Sequence, residues 1–197
     1  MPKGIPLTEE ELDRRRKEIF DASVHLFLEK GFNEATMREI ANAAGIGKST
    51  LYDYFNSKDE ILISYFENEI QKITERAQEI ASQELDIVEK LRQIMQKHLE
   101  YLVDNKNFYL KLTIASQTLP LGSQEKIQAK RHAYQDMLRA LIEEGIHNGE
   151  LRPINPLLAA RSVFNLLATA VFTSRPTGTP DEMLEDALDI FFNGIQA

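Results

Sequence analysis

Residues 36–58, TMREIANAAGIGKSTLYDYFNSK, constrain this chain more than any other stretch. Thr36 followed by Glu39 is a capping box, in which hydroxyl and carboxylate satisfy orphan backbone donors at a helix start. Ile40, Ala41 and Ala44 then give one apolar face at helical spacing. Gly45 stands where that helix should stop, since glycine accepts the left-handed conformation of a C′ residue. Ile46 is apolar inside the turn and is expected to plug the core beneath it. Gly47 or Lys48 opens a second helix whose inward face is Leu51 and Phe55. Lys48, Ser49, Thr50, Tyr52, Asp53 and Tyr54 are left off the core. Ser57 with Glu60 is another capping box, so a third helix should start near Lys58. A helix pair whose second member displays small polar and aromatic side chains is how a helix-turn-helix meets the DNA major groove. DNA binding is therefore the leading expectation.

These residues resemble the tetracycline-repressor (TetR) family of bacterial transcription regulators. The likeness is carried by Gly31-Phe32, by Ala35-Thr36-Met37-Arg38-Glu39-Ile40-Ala41, by residues 44–55 (AGIGKSTLYDYF), and by Ser57-Lys58-Asp59-Glu60. It covers roughly the first third of the chain; the rest fits by length and helical character. The resemblance implies that Ser49, Thr50, Tyr52, Asp53 and Tyr54 contact DNA, with Thr36, Met37 and Arg38 near phosphate at the preceding helix start; Lys48, off the core and basic, is a further DNA-facing candidate. Tyr52 and Tyr54 can donate to phosphate oxygens, and Ser49 and Thr50 can reach base edges or thymine methyls. Lys58, at a helix N-terminus, is expected to meet phosphate as well. Two positions depart from the family pattern. Gly47 stands where a hydroxyl residue often caps the recognition helix, and Asp53 where a neutral or basic residue is more usual. A carboxylate is repelled by phosphate unless it accepts from a cytosine amino group.

Charge is the main objection. The chain carries −8, whereas a nucleic-acid binder should show a basic footprint. Residues 1–58 hold nine Lys/Arg against ten Asp/Glu, and residues 59–197 fourteen against twenty-one, so the acidity lies mostly in the second part. The run Arg14-Arg15-Arg16-Lys17 reads equally as a phosphate-facing strip and as a solvated face. Lys3, in an N-terminal arm of residues 1–7, is a further candidate.

The expected architecture is all-α: an N-terminal three-helix DNA-binding domain over residues 1–58, then a helical ligand-binding and dimerisation domain over residues 59–197. Thr8 with Glu11 caps a first helix to about Lys30, with an inward stripe of Ile19, Ala22, Ser23, Leu26 and Phe27 and a stop at Gly31. A long helix over residues 58–81 is the expected lever between the parts. Further helices fall over residues 85–103, 108–119, 123–147, 156–174 and 180–193, with the polar residues 104–107 separating the first two. The last two helices are apolar on more than one face, and one chain has few elements left to cover both. They are therefore expected to form a four-helix homodimer interface, suited to a pseudo-palindromic double-stranded operator.

The resemblance implies that the second part senses a small molecule. Met95, His98, Tyr101, Leu102, Phe108 and Tyr109, with Leu112, Thr113, Gln117, Tyr134, Met137 and Phe164, mix apolar surface with isolated polar groups, which suits a cavity. The lack of clustered charge favours an apolar or aromatic effector that releases DNA. The four histidines show no metal-ligand spacing, and no cysteine, nucleophile elbow or glycine-rich phosphate loop is present, so neither an enzyme nor a cofactor or metal is expected. His25 reads as a partly buried packing residue. A protein-binding adaptor would want exposed apolar anchors where residues 48–55 are polar. No signal core or bilayer-length apolar run appears, so a cytoplasmic protein without membrane association is expected.

Overall fold

The computed structural model describes residues 8–195, and the arm with Lys3 lies outside them. Nine helices form among the described residues: α1 (Glu9–Lys30), α2 (Met37–Ala43), α3 (Lys48–Tyr54), α4 (Lys58–Ala81), α5 (Ile87–Asp104), α6 (Lys106–Ser116), α7 (Leu121–His147), α8 (Pro156–Val171) and α9 (Pro180–Ile195). No strand forms among them. The starts follow from capping chemistry. Complete capping boxes open α1 at Thr8 and α2 at Thr36. Asn155 caps α8 ahead of Pro156, where a missing N–H costs nothing. At Ser57 only one arm of the expected box forms: its hydroxyl accepts from the Glu60 N–H, while the Glu60 carboxylate takes the Asn56 N–H.

The chain divides into two compact units. One runs to Phe66 and includes Lys111–Gln124; the other comprises Glu67–Leu110 and the chain from Glu125 onward. The expected boundary at residues 58/59 falls in the first turn of α4, and the units part further along that helix. In the first unit, Ile19, Val24 and Phe27 of α1 are buried, as are Ile40 and Ala41 of α2 and Leu51 of α3. Ala22 and Leu26 are only half-buried, and Val24 replaces them in the stripe. His25 is exposed and within 3.8 Å of Glu29, so it is a surface residue and not a packing one.

In the second unit one apolar cluster joins α4, α5, α7, α8 and α9, centred on Leu91, Met95, Leu102, Leu138, Ala160 and Leu167. α5 packs against both α8 and α9. This corrects the premise that too few elements remain to cover the last two helices: the chain's own α5 buries one side of each. The separator between α5 and α6 is a single residue, Asn105, and not the four polar residues 104–107, because its side chain and N–H both bond Tyr101 O. Gly145 is required by contact: a Cβ there would stand 2.8 Å from Ile87 and Leu151 side-chain carbons.

Candidate nucleic-acid interface

α3 is seven residues long and has no side-chain cap at Gly47. So short a helix is marginal alone, and tertiary anchoring must hold it. Leu51 is wholly buried, and Phe55 packs its ring 5.4 Å from that of Phe20 on α1. The turn before it is built by the α2 exit. Gly45 has φ +66°, its N–H bonds Asn42 O, and the Ile46 N–H reaches back to Ala41 O at 3.0 Å. This is a Schellman motif, and only glycine adopts its left-handed residue without strain. Ile46 is half-buried beneath the turn.

With Leu51 and Phe55 inward, Lys48, Ser49, Tyr52 and Asp53 are exposed, and Thr50 and Tyr54 are half-buried. The Lys48 ammonium sits 5.7 Å from the centroid of the Tyr52 ring, and Tyr52 keeps 43% of its surface open. The face is thus a cation, hydroxyls and one carboxylate over an apolar base, able to donate to phosphates and to base-edge acceptors. Arg38 on α2 is exposed, with no ion pair among the described residues; Met37 is half-buried. The Thr36 hydroxyl accepts from the Glu39 N–H at 3.3 Å and donates to Glu39 Oε2 at 2.7 Å, so Thr36 acts first as the α2 cap.

Lys58 departs from expectation. Its ammonium donates to three carbonyls, Phe32 O (2.8 Å), Asn33 O (2.7 Å) and Ala35 O (3.1 Å), and lies 4.9 Å from the Phe32 ring centroid. A lysine has three donors, and all are used inside the protein. Lys58 therefore clamps the α1–α2 connection and leaves no proton for phosphate. Arg15 and Arg16 pair with Glu18 and Asp13, which favours the solvated-face reading of that run.

Glu39 links the same corner: it caps α2 and pairs with Lys30 at the end of α1. The Lys30 and Thr36 hydrogen bonds hold its carboxyl down at about 2, against an ordinary 4.5. Its contribution to stability is present above pH 4.5 and is lost as pH falls toward 2. His98 acts in a different window. Burial lowers its pKa from 6.5 to about 4, so the unfolded chain binds its proton first. That contribution is intact above pH 6.5 and falls by roughly 3 kcal/mol as pH drops to 4. Urea unfolding at pH 7 and pH 4.5 should show the loss, and His98→Gln should flatten it.

The effector candidates are divided between the units. Leu112, Thr113 and Gln117 belong with the DNA-facing helices; the others belong to the second unit. The side chain of Phe108 lies outside the described ones. Met95 and Leu102 are fully buried in the apolar cluster. Tyr109 stacks on Phe172 at 5.1 Å, while Met137 and Phe164 are half-buried. His98, Tyr101 and Tyr134 do come together. His98 Nδ1 meets the Tyr134 hydroxyl at 3.1 Å, and the Tyr101 hydroxyl donates to Glu69 at 2.8 Å. They line a recess of about 10 Å³ whose other wall is Ile73, Arg76, Ala77 and Ile80 of α4. That wall was missed in the sequence, although the spacing i, i+3, i+4, i+7 marks one helix face.

Two family models match. "Bacterial regulatory proteins, tetR family" covers residues 19–65, and "Tetracyclin repressor-like, C-terminal domain" covers residues 84–195, more than half the chain. The chain belongs to the tetR family. It is a DNA-binding transcription regulator and not an enzyme, and the adaptor reading is set aside. Among its relatives, the fatty acid metabolism regulator protein of Bacillus subtilis (strain 168) is 29% identical over 157 residues, 79% of this chain and 81% of that one. The transcriptional repressor KstR2 of Rhodococcus jostii (strain RHA1) is 25% identical, across 92% of this chain and 91% of its own. The structure of FadR from Bacillus subtilis in complex with stearoyl-CoA matches with TM-score 0.79 at 26% identity, over 91% of this chain and 99% of that one.

Within this tetR-family chain, Asp53 is exposed and has no hydrogen bond or ion pair among the described residues. Its carboxylate is thus available to a cytosine amino group. Asp53→Asn should change which operator is preferred, by about 1–3 kcal/mol at one base pair, in a competition binding assay. An equal gain on every sequence would mean relief of charge repulsion alone.

Proposed function

We propose that this chain is a cytoplasmic repressor that binds a pseudo-palindromic operator as a homodimer and is released by an amphiphilic effector, a long-chain acyl thioester with an apolar tail and an anionic head. The exposed α3 face over a buried Leu51 base carries the DNA-binding half of this reading. Lys48, Ser49, Thr50, Tyr52, Asp53 and Tyr54 are assigned to the groove, with Arg38, Met37 and Thr36 beside it. The working division remains residues 1–58 for DNA and residues 59–197 for effector and dimer. The effector class rests on the likeness to a fatty acid metabolism regulator and to a stearoyl-CoA complex. The dimer is assigned to α8 and α9, whose outward residues include Leu158 (64% exposed) and Ile190 (65% exposed). Release works by differential affinity: the effector binds a conformer whose two recognition helices are misplaced for successive grooves.

The test starts with selection from random duplex DNA at physiological salt. An inverted repeat, bound by a species that sediments as a dimer, is the expected result. Stearoyl-CoA should then release that probe in an anisotropy titration. Enrichment of no sequence would overturn the DNA assignment, and indifference to stearoyl-CoA would overturn the effector class.

A further inference from the structure

His98 is 2% exposed, yet its Nε2 has no hydrogen-bond partner among the described residues. An unsatisfied buried polar atom costs about 1–3 kcal/mol. Such atoms in an otherwise well-packed core mark places where function overrides stability. The surrounding cluster is apolar, and the Phe164 ring lies 5.6 Å from the imidazole.

The ring's tautomer follows from its neighbour. Tyr134 is deeply buried, and burial raises its pKa, so its hydroxyl keeps its proton. If Tyr134 donates to Nδ1, that proton is used and Nε2 carries the hydrogen. The opposite assignment would strand both the tyrosine proton and the Nε2 lone pair. The favoured state therefore leaves an unpaired N–H donor on a ring that lines the recess.

A water is a poor occupant. A buried water needs two to four polar partners. Here the Tyr134 and Tyr101 protons are already engaged and Ile73, Ala77, Ile80 and Ile94 are apolar, so polar partners come only from Arg76, Lys97 and the acceptor side of the hydroxyls, and any water there would be displaceable. A carbonyl oxygen is content with one donor. About 10 Å³ is room for roughly one water-sized group in this narrow, partly open recess, so a longer ligand requires it to widen. Arg76 lines the same recess, exposed and without an ion pair among the described residues; Lys97, also there, pairs with Glu100 at 2.8 Å.

We propose that His98 Nε2–H is the donor that takes the acyl carbonyl oxygen of the effector, with Arg76 facing the anionic group beyond the thioester. This rests on the acyl-thioester reading above and names the contact that reads it. The narrowness of the recess supplies the difference between states that a ligand-driven switch requires, because the bound conformer must be wider than the free one.

The experiment compares wild type, His98→Leu and His98→Gln, using the selected operator and stearoyl-CoA. His98→Leu should bind operator within about twofold of wild type and melt within about 4 °C of it, because it removes the unpaired Nε2 but strands the Tyr134 hydroxyl. It should need about tenfold or more stearoyl-CoA for half-release, the worth of one buried hydrogen bond. His98→Gln, which retains an N–H donor, should recover most of the response. If His98→Leu disrupts folding, His98→Met carries the same expectations. Unchanged release in the apolar variants, at any melting temperature that leaves them folded, overturns the proposal and leaves the effector class standing. If stearoyl-CoA releases neither wild type nor variant, the effector class fails and this contact fails with it.

Discussion

Leu51→Ala should lower the unfolding free energy by about 3–4 kcal/mol, the range for emptying a fully packed leucine site. It should also abolish operator binding at concentrations where wild type saturates. Leu51 is the only fully buried residue of α3, and the helix has neither the length nor a side-chain cap to hold itself. Removing the anchor frees Lys48, Ser49 and Tyr52 from their common orientation, so the loss of binding should exceed the loss of any one contact. Urea unfolding and anisotropy on the same sample separate the two effects. A variant that loses stability but binds DNA unchanged would show that α3 is not the reading helix.

Lys58→Met should cost about 2–3 kcal/mol, because three carbonyls lose a charged donor at once. The decisive observation is the salt dependence. A phosphate contact contributes about 0.9 to the slope of log K against log salt. A clamp contributes nothing, so the slope should stay as in wild type while stability falls. A reduced slope at unchanged stability would restore Lys58 to the DNA face.

The boundary signals in this sequence were physical and local, and they read well. Thr8, Thr36, Gly45 and Asn155 each act within four residues of themselves, so spacing alone places them. Leu51 and Phe55 were readable for the same reason. Lys58 was not, because its partners lie 23 to 26 residues away and are carbonyls, which every residue has. Nor could spacing divide the effector candidates, since Leu112 and Met95 look alike on paper and fall in different units. His25 and His98 show the same limit: both sit in helices, and only the tertiary packing leaves one in solvent and the other sealed.

α5 covers one side of both α8 and α9, so Val163, Leu167, Leu188 and Phe191 are already buried within a single chain. On the dimer reading, pairing is then an association of folded bodies and not a condition of folding. Operator occupancy at low abundance would rise as the square of subunit concentration, and a modest change in synthesis or dilution at cell division would move the regulated promoter far more than in proportion.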